Sequence, residues 1–174
     1  MSASAPRADG TRTDTRARPA HPMSEPAHET AIRWAVGTLM ATTPAPAREA
    51  EAILSAAAAR AGLPEAALAA AMRQASRGVP VPARAERALR QAVQAARTAT
   101  TTAPPPSGPY LVPLRADAEK ALGRYFEDCL RLQAAPADAD ARRAFEDSLF
   151  TLCVLMGRPS AAAALHEAIQ YTEG

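Results

Sequence analysis

Hydrophobic residues recur at helical spacing over residues 28–78, and they predict three short amphipathic helices joined by tight turns. In the first helix, Gly37 interrupts the apolar face and leaves space where a neighbouring backbone can approach. The second helix begins near Pro46 and ends at Gly62, because glycine tolerates the positive φ that commonly ends a helix. The third begins at Pro64, since the first turn of a helix accepts proline. Together these helices predict a small bundle.

A fourth helix is predicted from Ala83 to about Thr98, and its two sides differ in polarity. Alanine, leucine and valine fill one side, while arginine and glutamine fill the other. With two arginines that precede the helix, the polar side forms the densest positive patch in the chain. The candidate nucleic-acid-binding residues are Arg73, Arg77, Arg84, Arg87, Arg90, Gln91, Gln94 and Arg97. These side chains suit phosphates and base edges, although a helix face that only keeps the protein soluble is the alternative.

Helical spacing resumes after residue 109 and predicts a second unit of three helices. The apolar face of its first helix is predicted to run from Leu114 to Leu132. Pro136 and Asp138 lie in the turn that follows, and residues 157–160 end the second helix and cap the third. The pattern indicates a helical hairpin with a closing helix.

Two segments lack helical spacing. Residues 1–27 are rich in Ala, Pro, Arg and Thr and are expected to form a disordered tail. Residues 99–109 are rich in Pro and Thr and are expected to form an extended linker. The predicted protein is therefore all-α, with the tail, a helical domain over 28–98, the linker, and a C-terminal helical domain over 110–174.

The charge of the chain is unevenly distributed. The 174 residues carry a net charge of +2, but residues 28–98 hold nine Arg against five Glu, while residues 100–174 hold seven basic against ten acidic residues. Phosphate is therefore expected to favour the N-terminal half. No apolar run approaches the roughly 18 residues that a membrane span needs, so no membrane association and a cytoplasmic location are expected.

No group of residues forms a recognisable catalytic motif. His166 is the one histidine in the predicted C-terminal helices, and the acidic pairs at 127–128 and 146–147 are expected to be solvated charges on polar helix sides. Cys129 and Cys153 fall on apolar faces, where buried free thiols are expected in preference to a disulfide or a metal site. The sequence predicts a protein without enzymatic activity, cofactor or metal.

The order Ile32-x-x-Ala35-x-Gly37-x-Leu39-Met40 is followed by REAEAIL at residues 48–54. It resembles the ANTAR domain, a three-helix RNA-binding module of bacterial transcription antiterminators. That family reads I-x-Q-A-K-G-x-L-M and then D-E-A-F-x-L-L. The resemblance implies a regulator of transcription antitermination that binds structured RNA as a homodimer.

Two positions depart from the family pattern, because Trp34 stands at the usual Gln and Val36 at the usual Lys. These apolar residues favour an alternative function, a non-enzymatic protein-interaction adaptor that keeps the bundle but has lost the RNA contacts.

The run DSLFTLCVLMG at residues 147–157 resembles the D-x-x-Y-T-L-C-V-x-T-G run of a small actinobacterial helical domain family of unknown function, with Phe150 in place of Tyr. No activity follows from this resemblance. The C-terminal domain is expected to supply control, through a regulatory protein partner.

Overall fold

The computed structural model describes residues 25–101 and 113–174, and within these residues the chain forms seven α-helices and no β-strand. The helices are α1 Glu25–Thr42, α2 Ala47–Ala61, α3 Glu65–Ala75, α4 Ala83–Thr101, α5 Arg115–Ala134, α6 Ala139–Leu155 and α7 Ala161–Glu173. The all-α prediction is confirmed.

Two helix boundaries differ from the predicted ones. Helix α1 begins at Glu25, inside the segment predicted as tail, because a carboxylate and the following Pro26 both suit a first helical turn. Helix α4 continues to Thr101, past the predicted end at Thr98. The disorder predicted for residues 1–24, and the part of the predicted linker after residue 101, lie outside the described residues.

The turn between α2 and α3 forms as the sequence predicts. Gly62 takes the left-handed conformation with φ of 61°, and its amide donates to the carbonyls of Ala58 and Ala59. Pro64 then precedes α3 with an extended backbone. The predicted end of α2 at Gly62 and start of α3 at Pro64 are confirmed.

Helix α1 lies at the centre of the protein. It packs against α2, α3 and α5. Its buried residues surround the helix axis and do not form a single stripe, which is the pattern expected of a helix covered on several sides. They are Ala31, Ala35, Val36, Gly37, Leu39, Met40 and Ala41.

The N-terminal and C-terminal helices share one hydrophobic core, whose largest fully buried side chains are Phe145, Met40, Leu54, Leu68, Leu132 and Leu152. Among the described residues, the contacts between the two sets of helices include one close backbone approach and two hydrogen bonds. A Cβ on Gly37 would lie 1.8 Å from the carbonyl oxygen of Pro136, so the backbone approach predicted at Gly37 is confirmed and comes from the α5–α6 turn. The amide of Ala47 donates to Glu146 Oε1 at 2.9 Å, and the Cys129 thiol donates to the Ala41 carbonyl at 3.4 Å. Division of the chain into two domains stays a prediction.

The C-terminal helices α5, α6 and α7 all contact one another, as the predicted hairpin with a closing helix requires. Leu114 is an exception to the predicted apolar face, since 73% of it is exposed. It occupies the capping position before α5, outside the helical register that buries Ala118, Tyr125 and Leu132.

Candidate functional site

The basic side of α4 is fixed by the packing of its other side. Ala85, Ala88 and Ala92 are buried, and α4 packs mainly against α2 with a smaller contact to α7. The predicted polar residues on this helix all lie on the exposed side; they are Arg84, Arg87, Arg90, Gln91, Gln94 and Arg97. Because the alanines hold the helix against α2, the arginines and glutamines extend outward from a helix whose orientation is fixed.

The exposed arginines of α4 differ in their partners. Arg90 forms an ion pair with Glu86, with 2.6 Å between Nη2 and Oε1. Arg97 also interacts within the protein, and it lines a small cleft together with Glu49. Within the described residues, Arg84 and Arg87 form no ion pair or hydrogen bond through their side chains. The free positive charge of α4 is therefore concentrated in its first half.

The two remaining candidates lie at the end of α3. Arg73 is half-buried in the last turn of that helix, and Arg77 is exposed in the turn that follows. Residues 79–82 separate them from α4. Arg77 extends the positive surface along the chain, while the partial burial of Arg73 limits what its guanidinium can reach.

Trp34 and Val36 belong to the packed interior. Val36 is 2% exposed, and Trp34 is half-buried against the hydrophobic core. The ANTAR pattern has polar residues at both positions. In this chain α1 is covered by α3 and α5, so apolar side chains at these positions satisfy packing.

An apolar groove lies on the outer side of α6, and its exposed residues were not predicted. Phe150 is 70% exposed and Val154 is 64% exposed, one helical turn apart. The groove has a volume of about 700 Å³ and also includes Pro46, Cys153 and Pro159. The sequence carried a signal for it, because the run over 147–157 is apolar on more sides than one helix face can bury.

Asp128 is buried, which corrects the expectation that both members of the acidic pair Glu127–Asp128 are solvated. Its side chain is 6% exposed, and it lies 3.4 Å from Arg131 and 3.9 Å from Arg124. Its Oδ2 atom has no hydrogen-bond partner in the described part of the chain. Glu127, by contrast, is exposed. The two arginines, both largely exposed, offset the cost of burying this charge.

The two cysteine thiols are poorly suited to act as nucleophiles. Burial raises the pKa of the Cys129 thiol, partly offset by a hydrogen bond from Gln133, and burial also raises the pKa of the Cys153 thiol. Both cysteines are free and half-buried. A raised pKa keeps a thiol protonated near neutral pH, the reverse of what a nucleophilic cysteine needs. His166 is exposed on α7.

Over residues 25–101 and 113–174, no three His, Cys, Asp or Glu side chains come together in a group that could hold a metal ion. Among the seven described helices, none has both the length and the apolar character to cross a membrane.

The C-terminal half of the chain matches a known family. Residues 110–173 match the sequence model of a family described as "Protein of unknown function (DUF5133)". This match confirms the prediction that the C-terminal half resembles an uncharacterised helical family. No curated protein and no solved structure matches the chain. The ANTAR resemblance of the N-terminal half stays a hypothesis.

Proposed function

We propose that this protein is an RNA-binding regulator of transcription, related to the ANTAR antiterminators, which holds structured RNA on the exposed side of α4. The observation that carries the proposal is the pair Arg84 and Arg87, exposed on a helix whose opposite side is anchored in the core. Gln91 and Gln94 continue the same side. Arginine binds phosphate through a planar set of donors, and the anchored helix reduces the entropy lost when RNA is bound.

The charge distribution supports the same surface. The C-terminal half carries ten acidic against seven basic residues, so phosphate is repelled there and attracted to the N-terminal half. We place the regulator in the cytoplasm, where nascent bacterial transcripts are found. It works without a catalytic step, cofactor or metal, and in this proposal it acts as a homodimer whose control comes through a protein partner of the C-terminal helices.

The alternative function is a protein-interaction adaptor that has lost RNA binding. Trp34 and Val36 favour it, because the positions that are polar in the ANTAR pattern are packed against the core here. The two functions differ in one measurable respect, which is saturable binding of RNA by the unaltered protein.

The test uses the whole chain, because α1 packs on α5 and the N-terminal helices share their core with the C-terminal ones. The protein is titrated against a library of structured RNA stem-loops at low and at moderate salt. We expect saturable binding that weakens with salt, and a loss of binding when Arg84, Arg87, Arg90 and Arg97 are all changed to Gln. Glutamine is about as good a helix former as arginine, so the helix content should not change.

A control for loss of positive charge outside α4 changes Arg48 and Arg60, two exposed arginines of α2, to Gln. This control should retain most of the affinity if α4 is the binding surface. Absence of saturable binding by the unaltered protein at both salt concentrations would refute the RNA proposal and favour the adaptor. Size-exclusion chromatography across a concentration series tests the homodimer.

A further inference from the structure

The exposed side of α4 consists of two neighbouring stripes with different net charge. The first stripe contains Arg84, Arg87, Gln91 and Gln94, whose spacings of three, four and three residues place them along one line on the helix surface. The second stripe contains Glu86, Arg90 and Arg97. Among the residues that the structure describes, both arginines of the first stripe lack a side-chain partner, while both arginines of the second are engaged within the protein.

We infer that only the first stripe contacts the ligand, and that the ligand is double-helical RNA: Arg84 and Arg87 bind phosphates, while Gln91 and Gln94 bind the sugar and base edges of the minor groove. This inference rests on the proposed function. It adds the class of RNA, and it says which residues contact phosphates and which contact sugars and base edges. It also removes Arg90 and Arg97 from the phosphate-binding set that the sequence predicts.

The ion pair between Arg90 and Glu86 explains why the second stripe contributes little. If Arg90 turned toward a phosphate, the Glu86 carboxylate would remain within one helical turn of that phosphate and would repel it. The pair is exposed, so breaking it costs little, but its summed charge is zero either way. Arg97 lines a small cleft together with Glu49, so a carboxylate also lies on that side of the helix.

The length and composition of the first stripe fit a duplex better than a single strand. From Arg84 to Gln94 the helix rises about 15 Å, a straight ridge that suits a groove between two backbones. Proteins that bind single strands stack the bases on aromatic side chains, and α4 contains no aromatic residue. Phosphates, sugars and edges are the only RNA groups that this surface can contact.

The two glutamines fit a feature of RNA duplexes that DNA lacks. The minor groove of A-form RNA is wide and shallow and presents 2′-hydroxyl groups, which both donate and accept hydrogen bonds. A glutamine amide also donates and accepts hydrogen bonds, so it can bind a 2′-hydroxyl either as the donor or as the acceptor. Discrimination between RNA and DNA duplexes is therefore assigned to Gln91 and Gln94.

The test compares two variants of the whole chain that remove the same number of charges from the same helix side. One carries Arg84→Gln and Arg87→Gln, and the other carries Arg90→Gln and Arg97→Gln. Affinity for a fully paired RNA stem is measured between about 50 and about 200 mM salt. A duplex contact contributes roughly 0.9 to the slope of log affinity against log salt, so losing two contacts should reduce the slope by about 1.8. The second variant should keep the slope within about 0.5 of the unaltered value.

A third variant, Gln91→Ala with Gln94→Ala, should keep the salt slope and lose the preference for the RNA stem over a DNA stem of the same sequence. The unaltered protein should bind the paired stem at least about tenfold tighter than an unpaired strand of the same length. This is the factor expected if the unpaired strand makes about one phosphate contact fewer at moderate salt. Circular dichroism confirms that each variant is folded.

The outcomes distinguish a failure of the proposed function from a failure of the division of α4 into two stripes. If the unaltered protein binds no RNA, the proposed function itself fails. If it binds RNA but both arginine variants reduce the slope equally, or the unpaired strand binds as tightly as the stem, the proposed function stands and the division into stripes is wrong.

Discussion

The substitution Gly37→Ala tests the close approach of α1 to the Pro136 backbone, one of the contacts between the two sets of helices. Gly37 is buried in the middle of α1, and a Cβ built on it would lie 1.8 Å from the carbonyl oxygen, 2.7 Å from the carbonyl carbon and 3.0 Å from the Cα of Pro136. Carbon atoms in favourable contact are about 3.5–4.0 Å apart. All three obstructing atoms belong to the backbone, so no side-chain rotation can make room. Helix α1 and the α5–α6 turn must therefore move apart.

Two opposing effects set the size of the change. Alanine in the interior of a helix is more favourable than glycine by about 1 kcal/mol. Overpacking costs about 1–3 kcal/mol. Displacing α1 also disturbs two nearby hydrogen bonds between the helix sets, from Cys129 to Ala41 and from Ala47 to Glu146, each worth about 1 kcal/mol. We expect the steric effect to exceed the helix propensity and to lower the free energy of unfolding by about 2–4 kcal/mol.

The chain offers a matched control in Gly123→Ala. Gly123 lies inside α5 and is exposed, and a Cβ there would meet no atom within 4 Å. Only the helix propensity changes, so this variant should gain up to about 1 kcal/mol. Urea denaturation followed by circular dichroism measures both, and each kcal/mol should also shift Tm by about 2–4 °C in a chain of this size. A Gly37→Ala protein as stable as the unaltered one, or stabilised like the control, would show that α1 and the α5–α6 turn are not in close contact.

Three further predictions follow from other parts of the structure. Burial raises the pKa of the Cys129 and Cys153 thiols, and burial together with the charge of Cys129 raises the pKa of the Tyr125 hydroxyl. Because the unfolded chain loses these protons first as the pH rises, the urea midpoint should fall above about pH 8.5. A midpoint that rises there would contradict this prediction. Gly62→Ala should cost about 1–2 kcal/mol from its left-handed backbone alone, since a Cβ there meets no neighbour, and an unchanged urea midpoint would count against that conformation. Cutting a protease site engineered into residues 99–109 should leave two fragments that elute together from a sizing column, because the two sets of helices share a core. Separate elution without denaturant would show that the shared core does not hold the fragments together.

The features that could be predicted from the sequence are the local ones. Gly62 and Pro64 act through their own backbone restrictions, so the end of α2 and the start of α3 need no tertiary information. The two-sided pattern of α4 is equally local, because it depends only on which residues lie three and four positions apart. The backbone approach at Gly37 was predicted as a possibility of that helix, but Pro136 as the partner was not, since it lies far along the chain.

The features that could not be predicted depend on which helices become neighbours. Asp128 follows Glu127 in the sequence and has the same charge, yet one carboxylate is buried and the other exposed, because only Asp128 lies on the side of α5 that its neighbours cover. Phe150 shows the reverse, an aromatic residue that no described helix covers. The salt bridge between Arg90 and Glu86 separates the predicted candidate residues into paired and unpaired arginines. Side-chain positions are needed to see that Arg84 and Arg87 have no such partner over residues 25–101 and 113–174.

Trp34 and Val36 are interpreted differently once the packing of α1 is known. In the sequence they count against RNA binding, because apolar residues replace polar ones of the ANTAR pattern. In the structure α1 packs on α2, α3 and α5, and a polar side chain at Val36 would be buried at a cost of about 1–3 kcal/mol unless it found a partner. Their apolar character therefore counts against RNA contacts made by α1, and it carries no information about contacts made by α4. Whether this protein binds RNA must be decided on the exposed arginines of α4, which is where the paired substitutions are placed.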